Sequence, residues 1–369
     1  MRLCNKGADL NKRGRGQQSA ITCAAGGSKY TAGSIVGYLL EKGADAKVKT
    51  KRRGNAVNLA AKSGNIQAVQ LLLNAGVNAE TRTRRDWTPL EISASKGYTH
   101  IVQVLLEHLN AKDPEEYLRE ALSSAAVHGK FATVNALLDV RENIEVEEKL
   151  MAKVVGSNWV TSGVIDLLRK HLSSDDVGPR LRILLKAAKN QRHPTFPIPL
   201  HPSSEAESQP SSIAACLLQH EEDQSLNIPE ELTIAIAERS DAATISLLIK
   251  KCRNFLVTAK VLEAAASNTF HGDTVLPVLL KICPRLSLHQ STSILNGAVR
   301  NQELGVSMLE VGLEFMPCGV PDIDVSIFAE AAGNPFQGKE LIQRLLLLLP
   351  PDSKLNVTAE IVHSAAENW

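Results

Sequence analysis

Residues 86–107 read DWTPLEISASKGYTHIVQVLLE. Pro89 suits a first helical position, where its missing N–H has no partner to lose. Thr88 stands before it as an N-cap residue. Leu90, Ile92 and Ala94 are apolar, and Ser93, Ala94 and Ser95 are small enough for close helix contact. Gly97 fits the left-handed residue that ends a helix. Ile101, Val102, Val104, Leu105 and Leu106 then supply the apolar face of a second helix. The stretch predicts a helix–turn–helix whose two helices are each too short to be stable alone.

The same pattern recurs on either side. Asn55–Ala61 stands 33 residues before Thr88–Ala94, and Ser19–Ala25 another 36 before that. Glu120–Ala126 follows Thr88 by 32 residues and continues as VHGKFATVNALLD. The units are joined by NKGADLN (5–11), EKGADAK (41–47) and NAGVNAE (74–80). A fixed period of this size marks stacked repeats, in which each unit buries its apolar face on its neighbours.

Over residues 3–138 the spacing, loops and both helices resemble the ankyrin repeat. That family starts its units with Thr-Pro-Leu-His, turns at Ala-Ala-x-x-Gly and closes with a Gly-Ala-Asp loop. Here Glu91 stands in the histidine position, with Thr22, Asn58 and Ser123 in the other units. The resemblance therefore implies weaker first turns than an ideal repeat has. It also implies an all-α solenoid of helix–turn–helix units with short β-hairpin fingers, built for non-catalytic protein–protein interaction. HEAT-type units run longer and lack the Gly-Ala-Asp loops.

Residues 1–140 are the regular part, and 141–369 are read as degenerate ankyrin-like helical repeats. In the second part a motif of two apolar, two variable and two small residues, then x-Asn, ends at Asn158, Asn190, Asn268, Asn301, Asn334 and Asn368. The last four are 33, 33 and 34 residues apart. Asparagine tolerates the left-handed conformation, so it is expected to replace the turn glycine. Short apolar steps, Ile144-Glu-Val146, Leu226-Asn-Ile228, Leu286-Ser-Leu288 and Leu355-Asn-Val357, read as reduced finger strands. Thr258 and Thr358 are expected N-caps. Pro277 falls inside a second helix, where an interior proline costs roughly 3 kcal/mol. These units look like those of long fungal repeat proteins, some of which carry an NTPase module elsewhere. The alternative reading is thus the tail of a NACHT-type signalling receptor, sensing its ligand. At about 33 residues per unit, the chain holds about eleven. Its first nine residues read as the close of a unit and Asn368-Trp369 as the end of a first helix, so a longer array or frayed ends are expected.

Residues 191–212 carry Pro194, Pro197, Pro199, Pro202 and Pro210 among serines. No packed helix tolerates that density of proline. The segment reads as a disordered, exposed insertion between the two helices of one unit.

Composition excludes more than it suggests. With 41 basic and 40 acidic residues the net charge is +1, so no global attraction to nucleic acid or membranes follows. No stretch reaches the ~18–20 apolar residues of a membrane span, and the N-terminus has no apolar signal segment. The six cysteines show no paired spacing and read as reduced residues of a cytoplasmic protein. Ten histidines are scattered, and His220-Glu-Glu-Asp lacks the second ligand of a zinc motif. There is no phosphate loop and no nucleophile elbow, so no enzyme, cofactor or metal is expected.

One feature is uneven. Three successive fingers are basic: Lys12, Arg13 and Arg15; Lys47, Lys49, Lys51, Arg52 and Arg53; Arg82, Arg84 and Arg85. Only Asp45, Glu80 and Asp86 oppose them. Stacking places these side by side at about 10 Å per step, a stripe fit for an acidic or phosphorylated peptide bound by a monomer. Nucleic acid fits less well, since no aromatic residues interleave for base stacking. KVKTKRR (47–53) has the composition of a nuclear import signal, but it sits on a folded hairpin.

Overall fold

Thr88 opens its helix as one half of a reciprocal cap. Its hydroxyl accepts the Glu91 N–H at 3.1 Å, and the Glu91 carboxylate accepts the Thr88 N–H at 2.8 Å. Asn55 and Asn58 build the same box from two carboxamides, at 3.1 and 2.9 Å. Thr22 accepts the Ser19 N–H at 2.8 Å. Thr22, Asn58 and Glu91, in the family's histidine position, therefore close the first turn themselves, and the capping N–H is not left without a partner.

A computed structural model describes residues 9–28, 30–109, 114–140, 146–172, 177–190, 212–222, 224, 226–283, 285–316 and 323–349. The expectations for the insertion at 191–211, for the first eight residues and for the repeat ending at Asn368 lie outside the described residues. So do those for Ile144, Thr358 and the step at 355–357.

The chain divides into two compact units, 1–174 and 175–369. Among the described residues the first holds five helix pairs: α1 (Ala20–Ala25) with α2 (Ala32–Glu41), α3 (Ala56–Ser63) with α4 (Ile66–Asn74), α5 (Pro89–Lys96) with α6 (Thr99–Glu107), α7 (Pro114–Val127) with α8 (Phe131–Asp139), and α9 (Glu148–Val155) with α10 (Ser162–Lys170). First helices pack on first helices, from α1 to α9, and second helices on second helices, from α2 to α10. The core is a two-layer stack of small aliphatic side chains, such as Ile21, Leu72, Leu90, Leu105 and Leu137, each almost wholly buried. Glycines Gly64, Gly97 and Gly129 turn the chain between helices at φ 76, 79 and 65°.

The second unit repeats the plan with α11 (Val177–Asn190) and α12 (Ile213–Gln219), α13 (Glu230–Arg239) and α14 (Ala242–Lys251), α15 (Ala259–Ser267) and α16 (Gly272–Ile282), α17 (Leu288–Arg300) and α18 (Gly305–Phe315), and α19 (Val325–Ala332) and α20 (Gly338–Leu348). The Pro/Ser-rich segment thus joins α11 to α12, which pack together. Thr258 caps α15 as expected, and Pro277 lies inside α16.

Three expectations are corrected. First, the asparagines are not left-handed. Asn268 and Asn301 end their helices in extended backbone, at φ −66 and −74°, and Asn334 has no positive φ either. Their side chains do the work instead. The Asn301 carboxamide donates to the carbonyls of Ala266 and Asn268, both at 2.9 Å, and accepts the N–H groups of Glu303 and Leu304 at 3.2 and 2.8 Å. Asn268 and Asn334 make the same four-way connection one repeat away on either side. Second, Glu120 does not sit where Thr88 does. Proline at position 114 and the acidic Glu115 and Glu116 start α7 six residues earlier, so Glu120 is mid-helix. Third, Leu288 is the first residue of α17, capped by Ser287, and the step before it is not a strand. The steps at Val146 and Leu226 are extended. Each forms a parallel bridge, to Leu172 and Cys252, that closes its own helix pair.

Candidate interaction surface

Each basic finger ends in a five-residue turn whose two ends are joined by a main-chain bond. The N–H of Gly14 donates to the Gln18 carbonyl at 2.8 Å, that of Thr50 to Gly54 at 2.8 Å, and that of Thr83 to Trp87 at 2.9 Å. The Thr50 hydroxyl donates to the Gly54 carbonyl and accepts the Arg53 N–H, and the Thr83 hydroxyl accepts the Trp87 N–H. Left-handed residues let so short a loop reverse: Gly16 and Gln17, Gly54, and Asp86. The finger thus reduces to a turn, with a single antiparallel bridge at Thr50 and Gly54.

The tips are joined to one another. The Lys51 N–H donates to the Gly16 carbonyl at 3.1 Å, and the Arg84 N–H to the Arg52 carbonyl at 3.2 Å. Bonded backbones lie about 5 Å apart, half the ~10 Å expected of stacked units. Lower down, Asn11 accepts the Asp45 N–H at 2.7 Å and Asn55 donates to the Asn78 carbonyl at 2.7 Å. Three fingers are in this way one hydrogen-bonded edge.

Local periodicity sets which side chains face out. Ala44, Ala46 and Val48 are buried, so Asp45, Lys47 and Lys49 alternate outward. Lys12, Arg13, Lys47, Lys49, Lys51, Arg52, Arg53, Arg84 and Arg85 are all exposed. None makes an ion pair within the described residues. The backbone of Arg15 lies in the first tip, in the 3-10 turn Arg15–Gln17, and its side chain is outside the described set.

Arg82 is different. It is half-buried, and its Nη2 lies 3.1 and 2.9 Å from the two Glu120 oxygens. Its Nη1 donates to the Asp86 carbonyl at 2.9 Å and lies 3.8 Å from the carboxylates of Asp86 and Glu91. The guanidinium sits 5.5 Å from the centre of the Tyr117 ring. The Glu120 hydrogen bond, above all, raises its already high pKa. Arg82 is therefore a clamp between the third finger and α7 rather than an open member of the stripe. Sequence reasoning missed it because Glu120 is 38 residues away, on a helix read in another register. Glu91 is buried, and that burial pushes its carboxyl up despite the bonds from Thr88.

Trp87, the aromatic residue of this edge, is half-buried and meets His128 edge-on, with ring centres 6.4 Å apart at 79°. A shallow cavity of about 190 Å³ lies between α7 and α9, lined by Arg119, Ser123, Glu147, Lys149 and Lys153 among others. It adds mixed charge on the first-helix face, which nothing in the sequence marked.

Paired short helices in two layers, left-handed glycine turns and a bonded finger edge define an ankyrin-type solenoid. The family model for ankyrin repeats (3 copies) matches residues 20–115 and 57–149, so this stretch of the chain is built of ankyrin repeats. Residues 247–275, from α14 into α16, match a domain of unknown function (DUF7104). A search of curated proteins finds no match. Among solved structures, the chain is similar to the human ASB11 ankyrin repeat domain. That likeness has 19% identity and a TM-score of 0.41, over 50% of this chain and 90% of the other. Ankyrin repeats are a protein–protein interaction module. Among the described residues, no helix is long and apolar enough to cross a membrane.

Proposed function

We propose that this protein is a non-catalytic scaffold, acting as a cytoplasmic monomer, whose finger edge binds an acidic or phosphorylated segment of a partner protein. The observation that carries this reading is the edge itself: nine exposed cations without ion-pair partners among the described residues, on three fingers whose tips are held together by main-chain bonds. A preorganised edge loses little freedom when it binds. Like charges gathered without counter-charges repel one another, and a partner that neutralises them relieves that repulsion. The field also speeds encounter with an acidic surface, so binding weakens as salt screens it.

The test is charge reversal at Arg52→Glu, Arg53→Glu, Arg84→Glu and Arg85→Glu together. These side chains are exposed, so each substitution should change stability by no more than about 0.5 kcal/mol. Partners captured from an extract by the wild-type protein should be lost, while helical circular dichroism and the melting profile persist. Retention of the same partners at physiological salt would show the edge to be merely solvated, and binding would then belong to the first-helix face.

A further inference from the structure

Building on that reading of the finger edge, we infer that its recognition element is a phosphorylated side chain. The group that binds it is the arginine quartet Arg52, Arg53, Arg84 and Arg85. The partner is then a peptide segment carrying phosphoserine or phosphothreonine in acidic surroundings.

The cations of the edge are not mixed at random. Lysines 47, 49 and 51 climb the side of the second finger, and two vicinal arginine pairs occupy the tips of the second and third. The Arg84 N–H bond to the Arg52 carbonyl, at 3.2 Å, puts those two pairs in one patch. Each turn behind them is fixed by its own threonine hydroxyl. Of the nearby acids, Glu120 binds Arg82 and the buried Glu91 stands 3.8 Å from the same guanidinium, while Asp86, also 3.8 Å from it, stays exposed. Arg82 thus holds Glu120 and faces Glu91, and the four outer guanidinium groups are without ion pairs among the described residues.

Guanidinium and ammonium groups answer different chemistry. A planar fork matches two oxygens of one anion, whereas lysine acts as a point charge. A carboxylate has two oxygens and one charge. A phosphoryl ester has three acceptor oxygens and about −1.5 to −2 charges at neutral pH, enough for more than one fork. Four forks on a fixed backbone therefore fit the phosphoryl group better than the carboxylate. The neighbouring lysines are suited to carboxylates flanking it. A nucleic acid also offers phosphates, but it binds with its bases stacked on aromatic rings, and Trp87 is half-buried against His128.

The experiment uses the full chain and three immobilised peptide libraries, degenerate in an acidic background, whose fixed central residue is phosphoserine, glutamate or serine. The wild type should retain the phosphoserine library at least about tenfold better than the glutamate one. The variant Arg52→Lys, Arg53→Lys, Arg84→Lys and Arg85→Lys keeps every charge and removes every fork. It should bind the glutamate library within about twofold of wild type and lose the phosphoserine preference. If the lysine variant keeps that preference, or the wild type never shows one, the phosphoryl inference is overturned and the acidic-partner reading stands. If the charge-reversed protein binds all three libraries as the wild type does, both fail. A single-stranded oligonucleotide that outcompetes the phosphoserine library would also overturn the inference, in favour of nucleic acid.

Discussion

The two compact units meet the same geometric demand with opposite chemistry. Every first helix must stop, turn and present a flat edge to the next repeat. In the first unit, backbone freedom does this after α3, α5 and α7, with glycines 64, 97 and 129 in left-handed conformation, while α1 and α9 end at Gly26 and Gly156 with ordinary negative φ. In the second, Asn268 and Asn301 stay extended and Asn334 has no positive φ, and each carboxamide ties its own turn to the end of the preceding first helix. Glycine survives there for another reason. At Gly305 and Gly338, each the first residue of a second helix, an added Cβ would lie 2.6 and 2.7 Å from the carbonyls of Ala298 and Ala331. Those two need closeness, not a positive φ. The lesson is that a repeat is conserved in space by any device that satisfies the turn, and a turn stitched by a side chain depends on the repeat before it.

The largest expected effect breaks one stitch. Asn301→Ala removes the partners of two carbonyls and two N–H groups at a fully buried position. Unsatisfied buried groups cost about 1–3 kcal/mol each, and partial rehydration should hold the total to about 3–4 kcal/mol. Denaturant unfolding measures the loss. Hydrogen exchange should place it in residues 259–315 and leave 56–107 unchanged. Asn301→Gly should be no better than alanine. A rescue by glycine would mean that the position wants conformational freedom after all, and the comparison would collapse.

A graded effect is expected among the glycines. A Cβ at Gly129 would run into the Trp159 carbonyl oxygen, a rigid neighbour, at a φ that side chains disfavour. Gly129→Ala should cost about 2–3 kcal/mol. At Gly305 the backbone angle is ordinary and the Ala298 carbonyl is the main obstacle, with Gln337 and Leu341 side-chain atoms at 3.2 and 3.3 Å, so Gly305→Ala should cost about 2 kcal/mol. At Gly97 the Cβ would meet Lys130 Cδ at 3.0 Å, the flexible stem of a side chain, and Gly97→Ala should cost about 1 kcal/mol. Equal losses at all three, in thermal or urea melts, would show that conformation alone decides and close approach does not.

What could be read in advance follows the same divide. The turn at Gly97 was legible because left-handed backbone selects glycine locally, and the cap at Thr88 because its partner is three residues away. The asparagine spacing was legible too, but not its purpose, since the carbonyls that bind Asn301 belong to the previous repeat, 33 and 35 residues back. The exposed cations were visible as a charge pattern. That Arg82 leaves the stripe was not, because its partner lies on α7, whose start at Pro114 overrides the repeat register. Local demands are written in the sequence. Contacts between repeats appear only as residues whose use is ambiguous until the stack is built.

The smallest effect separates the units by pH. Glu91 belongs to the glycine-turn unit, and its burial raises its carboxyl above the ordinary value of 4.5, against the opposing bonds from Thr88 and the nearby Arg82. From that ordinary value up to the raised one, the folded chain holds a proton that the unfolded chain has released. Stability from this group is therefore complete below the ordinary value and falls as pH rises through the folded one. Glu91→Gln cannot titrate, yet its amide oxygen can accept the Thr88 N–H and hydroxyl in the same way, so the first turn should survive. Relative to the wild type, the glutamine protein should gain stability as pH rises from acid toward neutral, with no such trend from the second unit. Urea midpoints across that range, followed by exchange in residues 88–96, give the sign. If the glutamine protein instead loses ground as pH rises, the attraction of Arg82 for an ionised Glu91 outweighs burial. The cluster around Arg82 would then be a charged clamp, held closed by the same ionisation that leaves the outer arginines open to a partner.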